Sequence, residues 1–276
     1  MTKACGKFFL SAGKKKTAPS ALSLCGASFL ALLLTAAWVS PAPAADFQIQ
    51  PMTMYLGRNA KSGVFSVINT GKEKIDFQVS LQEWSQDETG KDVYVETKDI
   101  VFFPKVMSVE PNAQRAIRIG LKAPIALKEK TYRIFVQEIP TPKKSAEDPT
   151  AKIRAGVSIA FRFAMPIFVK PAQPQESFAI AGIDMAKETV QALIKNTGNV
   201  HVKLRNVKFS GRNDAGEEIF SKEVAGWYIL QGLSLPYKTD IPPDLCGKLV
   251  KIDVSAQTEK DTANGTFNVQ SGMCAQ

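Results

Sequence analysis

Between Ala151 and Pro171, the residues Ile153, Ala155, Val157, Ile159, Phe161, Phe163, Met165 and Ile167 occupy every second position, with Lys152, Arg154, Ser158 and Arg162 between them. Successive side chains of an extended chain point to opposite faces, so this period of two specifies a long strand with one apolar face. Wound as a helix, the same residues would scatter around the axis. The stretch follows a turn-rich, charged segment from Pro140 to Thr150 and runs into Pro171 and Pro174. It therefore reads as the last strand of one unit and the entry to a connector. Alternation alone leaves two uses open for the apolar row: filling the core of its own domain, or reaching past that core to serve a partner.

From Phe47 to Lys170 the chain reads as short strands separated by turn residues. A first strand spans Phe47 to Leu56, and Gly63 to Asn69 ends in Asn69-Thr70-Gly71. Ile75 to Trp84 alternates, Val93 to Val101 returns after a polar turn, and Arg115 to Leu121 and Tyr132 to Ile139 lead into the opening stretch. About seven short strands in this length predict an immunoglobulin-like sandwich. Lys170-Pro171-Ala172-Gln173-Pro174-Gln175 forms a stiff connector. Beyond it, strands are expected near Phe178 to Ile183, Thr189 to Lys195, Val200 to Phe209, Glu218 to Val224, Leu249 to Ala256 and Thr266 to Val269. Asn196-Thr197-Gly198-Asn199 reads as a hairpin turn using residues that tolerate positive φ. The expected fold class is all-β: an N-terminal sandwich over residues 46–170, a linker over 171–175 and a second sandwich over 176–276.

The first 45 residues fall outside this plan. Lys3, Lys7 and Lys14 to Lys16 precede an apolar run from Ala21 to Val39, and small residues follow at Ala42, Ala44 and Ala45. This is the order of a secretory signal cleaved after Ala44 or Ala45. An uncleaved anchor is the rival, because the run approaches bilayer-spanning length. A lipoprotein is disfavoured by the bulky Leu24 before Cys25. Cleavage removes five lysines and no acid, so 35 basic residues fall to 30 against 26 acidic ones, and the net charge drops from +9 to +4. Spread along the chain, that surplus gives no reason to invoke nucleic acid. Export also leaves two cysteines, Cys246 and Cys274, which are expected to bond in an oxidising compartment. A two-cysteine metal site is the rival, but no histidine or carboxylate cluster accompanies the pair at ligand spacing.

Catalytic patterns are missing from the sequence. The single histidine, His201, rules against a His-based triad or a multi-histidine metal site and reads as a structural residue beside a turn. The acid pairs Asp87-Glu88 and Glu217-Glu218 lie in turn contexts. No glycine-rich strand-to-helix turn and no serine in an elbow-like glycine context is present. No catalytic residue, cofactor or metal is expected.

Two segments resemble a known family. Tyr132-Arg133-Ile134-Phe135-Val136-Gln137-Glu138-Ile139-Pro140, then Arg162-Phe163-Ala164-Met165-Pro166-Ile167-Phe168-Val169-Lys170-Pro171 about twenty residues later, look like the adjacent strands that mark periplasmic chaperones of the chaperone–usher pilus pathway. Trp84, Pro104, Pro111 and Asn196 to His201 fall where such chaperones have similar residues. The resemblance implies two immunoglobulin-like domains set at an angle, with a subunit-binding cleft between them. It also implies a last strand of the first domain that lends alternating apolar side chains to a fibre subunit lacking a strand, which is β-strand addition. Anchored on Pro171, the donor positions fall on Val157, Ile159 and Phe161, with Ile153 and Ala155 as an extension. Phe163, Met165 and Ile167 are then ordinary core. Where better-known members carry an Arg and a Lys for the subunit's terminal carboxylate, this chain has Thr53 and Pro166. The pattern from Arg162 to Val169 is similar to the divergent, archaic branch, with Arg162, Arg58 and Lys170 as alternative anion contacts. The implied function is a periplasmic, ATP-independent chaperone that captures pilus or fimbrial subunits and delivers them to an outer-membrane usher, with no membrane anchor after cleavage. The alternative is a structural or adhesive two-sandwich protein of the cell envelope.

Overall fold

The computed structural model describes residues 46–140, 159–270 and 272–274, so the leader and the positions Ile153, Ala155 and Val157 lie outside the described residues. Ten strands precede the connector: β1 (Phe47–Gln50), β2 (Met54–Leu56), β3 (Ser62–Asn69), β4 (Ile75–Gln86), β5 (Asp92–Glu96), β6 (Ile100–Phe103), β7 (Val106–Val109), β8 (Gln114–Leu121), β9 (Lys130–Ile139) and β10 (Arg162–Val169). They form two sheets, one ordered β1-β3-β8-β6 and the other β2-β10-β9-β4-β5, with β7 also paired to β4. Inward-facing Phe65, Val67, Phe77, Val79, Ile117, Tyr132, Ile134, Met165 and Ile167 fill the space between the sheets. Full burial of each such side chain contributes about 1.5–3 kcal/mol.

The count exceeds the expected seven because two anticipated strands change sheets midway. Phe47 to Leu56 breaks after Gln50: β1 pairs antiparallel with β3, whereas β2 crosses to pair parallel with β10. Pro51 at the break has no N–H to continue a ladder. Val93 to Val101 breaks over residues 97–99, leaving β5 on β4 and β6 on β8. β7 was not anticipated. Within the described residues, the expected strand from Ala151 to Pro171 runs from Arg162 to Val169.

The second set of strands is β11 (Phe178–Ala186), β12 (Thr189–Asn196), β13 (Val202–Lys203), β14 (Asn206–Arg212), β15 (Glu218–Ala225), β16 (Tyr228–Ile229), β17 (Ser234–Asp240), β18 (Lys251–Gln257) and β19 (Thr262–Asn268). A single helical turn, α1 (Pro243–Cys246), was not anticipated. The sheets are β11-β12-β17, β13-β16 and β15-β14-β18-β19, around a core that includes Val190, Ile194, Phe209, Ile252 and Val254. Cys246 and Cys274 are disulfide-bonded with Cα atoms 5.7 Å apart, closing a loop that contains β18 and β19.

Asn196 to Asn199 is not a hairpin turn. β12 pairs with β11 and β17, and the next strand, β13, pairs with β16. None of the four residues has positive φ. Instead the buried Asn196 side chain donates to the carbonyls of Val200 and Ile229 at 2.8 and 2.9 Å and accepts the Gly198 N–H at 2.9 Å. The turn at Asn69 is built the same way, its amide donating to Glu73 and Val109 carbonyls and accepting the Gly71 N–H. Each asparagine pairs backbone groups that a change of sheet would leave buried and unsatisfied.

Candidate functional site

The pairing of β10 leaves part of it uncovered. On one side it pairs with β9 along its whole length, from Arg162 opposite Gln137 to Val169 opposite Lys130. On the other, β2 covers only Ile167 to Val169. The Phe161 carbonyl accepts the Glu138 N–H, and the Lys170 N–H donates to the Leu56 carbonyl, both at 2.9 Å. Backbone groups alternate sides along a strand, so odd-numbered residues here bond to β9 and even-numbered ones face β2 or the open edge. Arg162 and Ala164 thus present N–H and C=O groups to an edge that no strand occupies among the described residues. Pro166 has the same parity, so its missing N–H costs the β9 ladder nothing.

Of the expected donor positions, Val157 lies outside the described residues. Ile159 is 67% exposed. Phe161 is half-buried, its ring 6.4 Å from that of Phe47, and Phe163 stands 5.2 Å from the same ring. The odd-numbered face therefore packs ever more deeply into its own sandwich from Phe161 onward, with Met165 and Ile167 fully buried.

The even-numbered face does not stay in solvent. Pro166 and Phe168 are buried, as are Thr131, Arg133 and Phe135 of β9 and Trp84 and Gln86 of β4. Much of this cover comes from the second sandwich. Trp84 and Phe168 join Tyr228 and Leu230 in one apolar cluster. Gln86 donates to the Tyr228 carbonyl at 2.9 Å and accepts the Leu230 N–H at 3.1 Å. His201 stacks on Phe168 with ring centres 3.6 Å apart. Its backbone N–H and Nδ1 both meet the buried Glu129 Oε2, at 2.8 and 2.7 Å. His201 is thus a joint between the sandwiches and has a partner that the sequence reading did not name.

Further along this face, two arginines lie on aromatic rings. The Arg162 guanidinium sits 4.1 Å from the Phe135 ring centre. Arg133 lies 4.0 Å from the Trp84 ring and 5.8 Å from that of Trp227. Asp92 accepts from Trp84 Nε1 at 2.8 Å and from the Tyr94 hydroxyl at 3.0 Å, and stands 3.4 Å from Arg133. Burial outweighs the nearby Arg133 charge and, with Asp92, pushes the Tyr94 hydroxyl up to about 12.

The anion contacts expected from sequence do not converge. Lys170 lies over Tyr55 at 4.2 Å, and it is eight residue steps along the extended chain from Arg162, roughly 26 Å. Arg58 is exposed in the bend after β2. Thr53 and Pro166 do come together, because Met54 is in register with Ile167. The cation nearest that place in the ladder is Arg133, directly opposite Pro166 on β9. Sequence reasoning missed it, although a charged residue at the centre of Tyr132-Arg133-Ile134 was a visible signal.

Residues 46–175 match the family described as pili and flagellar-assembly chaperone, PapD N-terminal domain. No curated protein matches the chain in sequence. In structure it is similar to a chain of the CsuC-CsuE chaperone-tip adhesion subunit pre-assembly complex from archaic chaperone-usher Csu pili of Acinetobacter baumannii. The TM-score is 0.55 and the identity 19%, over 80% of this chain and 98% of that one. The YadV chaperone is similar with TM-score 0.51 and 14% identity, over 81% and 100% of the two chains. At these identities the structural likeness speaks for the all-β, two-sandwich fold. The matched residues span β1 to β10 and the connector, so the first sandwich and its connector are similar to the PapD N-terminal domain of pili and flagellar-assembly chaperones.

Proposed function

We propose that this protein is a periplasmic chaperone that holds pilus or fimbrial subunits by strand donation and passes them to an outer-membrane usher. Its units are a leader (residues 1–45), a subunit-binding sandwich (46–170), a linker (171–175) and a second sandwich (176–276). The observation that carries this reading is the edge of β10 between Arg162 and Pro166, which no strand occupies among the described residues and which is continuous with the exposed Ile159. A subunit lacking a strand exposes an apolar groove and unpaired backbone, and a donated strand covers both. Val157, Ile159 and Phe161 supply the side chains, extended by Ala155 and Ile153, and Arg162 supplies an anion contact. The chemistry is non-covalent. The complex named for the A. baumannii protein, a chaperone with a tip subunit, is of the kind proposed here.

Ile159→Asp is the cleanest test, because this side chain is 67% exposed and its replacement leaves the core intact. Losing one buried Ile should weaken subunit capture by about 10- to 100-fold at unchanged melting temperature. Capture is read by co-expressing a candidate fibre subunit with this protein and co-purifying the pair. Equal yields of a one-to-one complex from wild type and variant would sink the proposal.

A further inference from the structure

We propose that the outer face of the sheet β15-β14-β18-β19, in the second sandwich, carries a subsite for one ring of a neutral, hydroxyl-rich sugar. Val207, Phe209, Ile252 and Val254 of this sheet point into the core, so the residues between them point out. The outward rows across β14, β18 and β19 are Lys208-Ser255-Asn264, Ser210-Asp253-Thr266 and Arg212-Lys251-Asn268, every side chain polar. Among them lies a depression of about 240 Å³, bordered by Lys208, Ser210, Asp253, Ser255, Asn264 and Thr266. It forms because the short Ser210 and Ser255 side chains stand between longer ones. Ser210 points outward and is nevertheless only 7% exposed. Its hydroxyl makes no hydrogen bond among the described residues, and neither do the Ser255 hydroxyl and the Asn264 amide. A nearly buried polar group without a partner is costly, and a ligand hydroxyl would supply the partner.

The charges around the depression select a neutral ligand. Lys208 stands 3.8 Å from Glu218, while Asp253 accepts from Arg212 Nε at 3.0 Å and the Thr266 hydroxyl at 3.0 Å, with Lys251 at 3.3 Å. Burial works against the Asp253 carboxylate, but these hydrogen bonds outweigh it and hold the carboxyl below the usual 3.8. Each of these cations thus already has an acid beside it, and a charged Asp253 in the lining repels an anion. A sugar hydroxyl donates and accepts at once, as do the serine hydroxyls and the asparagine amide that meet it, and Asp253 adds an acceptor. The volume is below the roughly 300–1,000 Å³ of pockets for drug-sized ligands, which suits a single ring. No aromatic side chain lines the depression. Binding therefore rests on hydrogen bonds alone and should be weak, with Kd about 1–10 mM. None of these residues belongs to β9 or β10, so the inference stands apart from strand donation.

Amide chemical shifts of the isotopically labelled protein read the site. The probes are D-glucose, D-galactose and N-acetyl-D-glucosamine, each titrated to about 100 mM, with sodium phosphate as the anionic comparison. Saturable shifts confined to β14, β18 and β19 are expected with at least one sugar. Ser210→Val suits a strand, fills the floor with methyl groups and removes the hydroxyl, and it should weaken binding at least about tenfold. Asn264→Ala, at an exposed position of β19, should weaken it about threefold or more. Shifts that stay linear with every sugar, or that spread over both sandwiches, overturn the proposal. So does wild-type affinity in both folded variants, or saturation of these amides by phosphate and by none of the sugars. If Ser210→Val does not fold, Asn264→Ala decides, and wild-type affinity in that variant overturns it.

Discussion

Pro166 stands directly across the β9–β10 ladder from Arg133, on the parity of β10 that faces the open edge. This one pair marks two boundaries and the position of a cation. The edge available to a further strand ends there, because β2 takes over at Ile167. The exposed part of the even-numbered face ends there too, because Pro166 and Phe168 are covered while Arg162 is not. And the cation nearest the juncture comes from β9 rather than from β10 or β2.

Backbone parity predicts opposite outcomes for prolines at adjacent positions. Ala164→Pro removes an N–H that faces the open edge and should change unfolding free energy by less than about 1 kcal/mol while weakening subunit capture at least about tenfold. Met165→Pro removes an N–H bonded to β9 and should cost about 3 kcal/mol or more. Urea unfolding followed by circular dichroism, with capture assayed in parallel, separates the two. Equal destabilisation by both would show that the parity assignment is wrong.

Asp99 accepts from Lys130 Nζ at 2.7 Å and from the hydroxyl of fully buried Tyr132 at 2.8 Å. These hydrogen bonds, Lys130 first, hold its carboxyl below the usual 3.8. A depressed folded-state value means that the stabilisation is complete above the unfolded-state value and is lost as pH falls through the lowered one. Asp99→Ala should therefore cost about 1–3 kcal/mol at pH 7, largely from the stranded tyrosine hydroxyl. Asp99→Asn keeps an acceptor oxygen and should cost less, its deficit shrinking in strong acid where wild-type Asp99 is protonated. Chemical unfolding at neutral and acid pH measures both.

Glu129 Oε2 receives two donors from His201, one backbone and one ring, within a buried contact between the sandwiches. Glu129→Ala strands both and should cost about 3 kcal/mol. It should also split a single unfolding transition into two, as the sandwiches lose their coupling. One sharp calorimetric transition with an unchanged midpoint would count against this contact as the joint.

The bridge from Cys246 to Cys274 spans 28 residues of sequence. Replacing both cysteines with serine should lower stability by roughly 3–4 kcal/mol in the loop-entropy account. Subunit capture at low temperature should be spared, because both residues lie in the second sandwich, away from β10. Free thiols at both positions in the exported protein, read by mass spectrometry, would remove the basis for the prediction.

Much of the fold could be read locally. Phe77, Val79 and Leu81 alternate with polar neighbours and all face the core as expected. Changes of sheet could not be read this way. Phe47 to Leu56 and Val93 to Val101 each look like one strand, because the period of two says which side a residue faces and nothing about which neighbour the strand bonds to. The turn at Asn196 misled for a related reason. An Asn-Thr-Gly-Asn run suits a hairpin, but here the asparagine amide serves carbonyls at Val200 and Ile229 that sequence proximity does not single out.

For the candidate site, the sequence by itself determined that the segment ending at Val169 is extended and that Ile159, Phe161, Phe163, Met165 and Ile167 share one face, since side-chain direction follows from backbone geometry within a few residues. Tertiary structure decided what lies against each part of that strand. β2 returns from the start of the chain to close the edge beyond Pro166, and the second sandwich covers Phe168, Trp84 and Arg133 on a face that alternation marks as outward. Burial of that second face depends on residues far away in sequence, so no local period records it. That is why Arg162 can be singled out from the sequence as a candidate contact, while the burial of Arg133 cannot be read there.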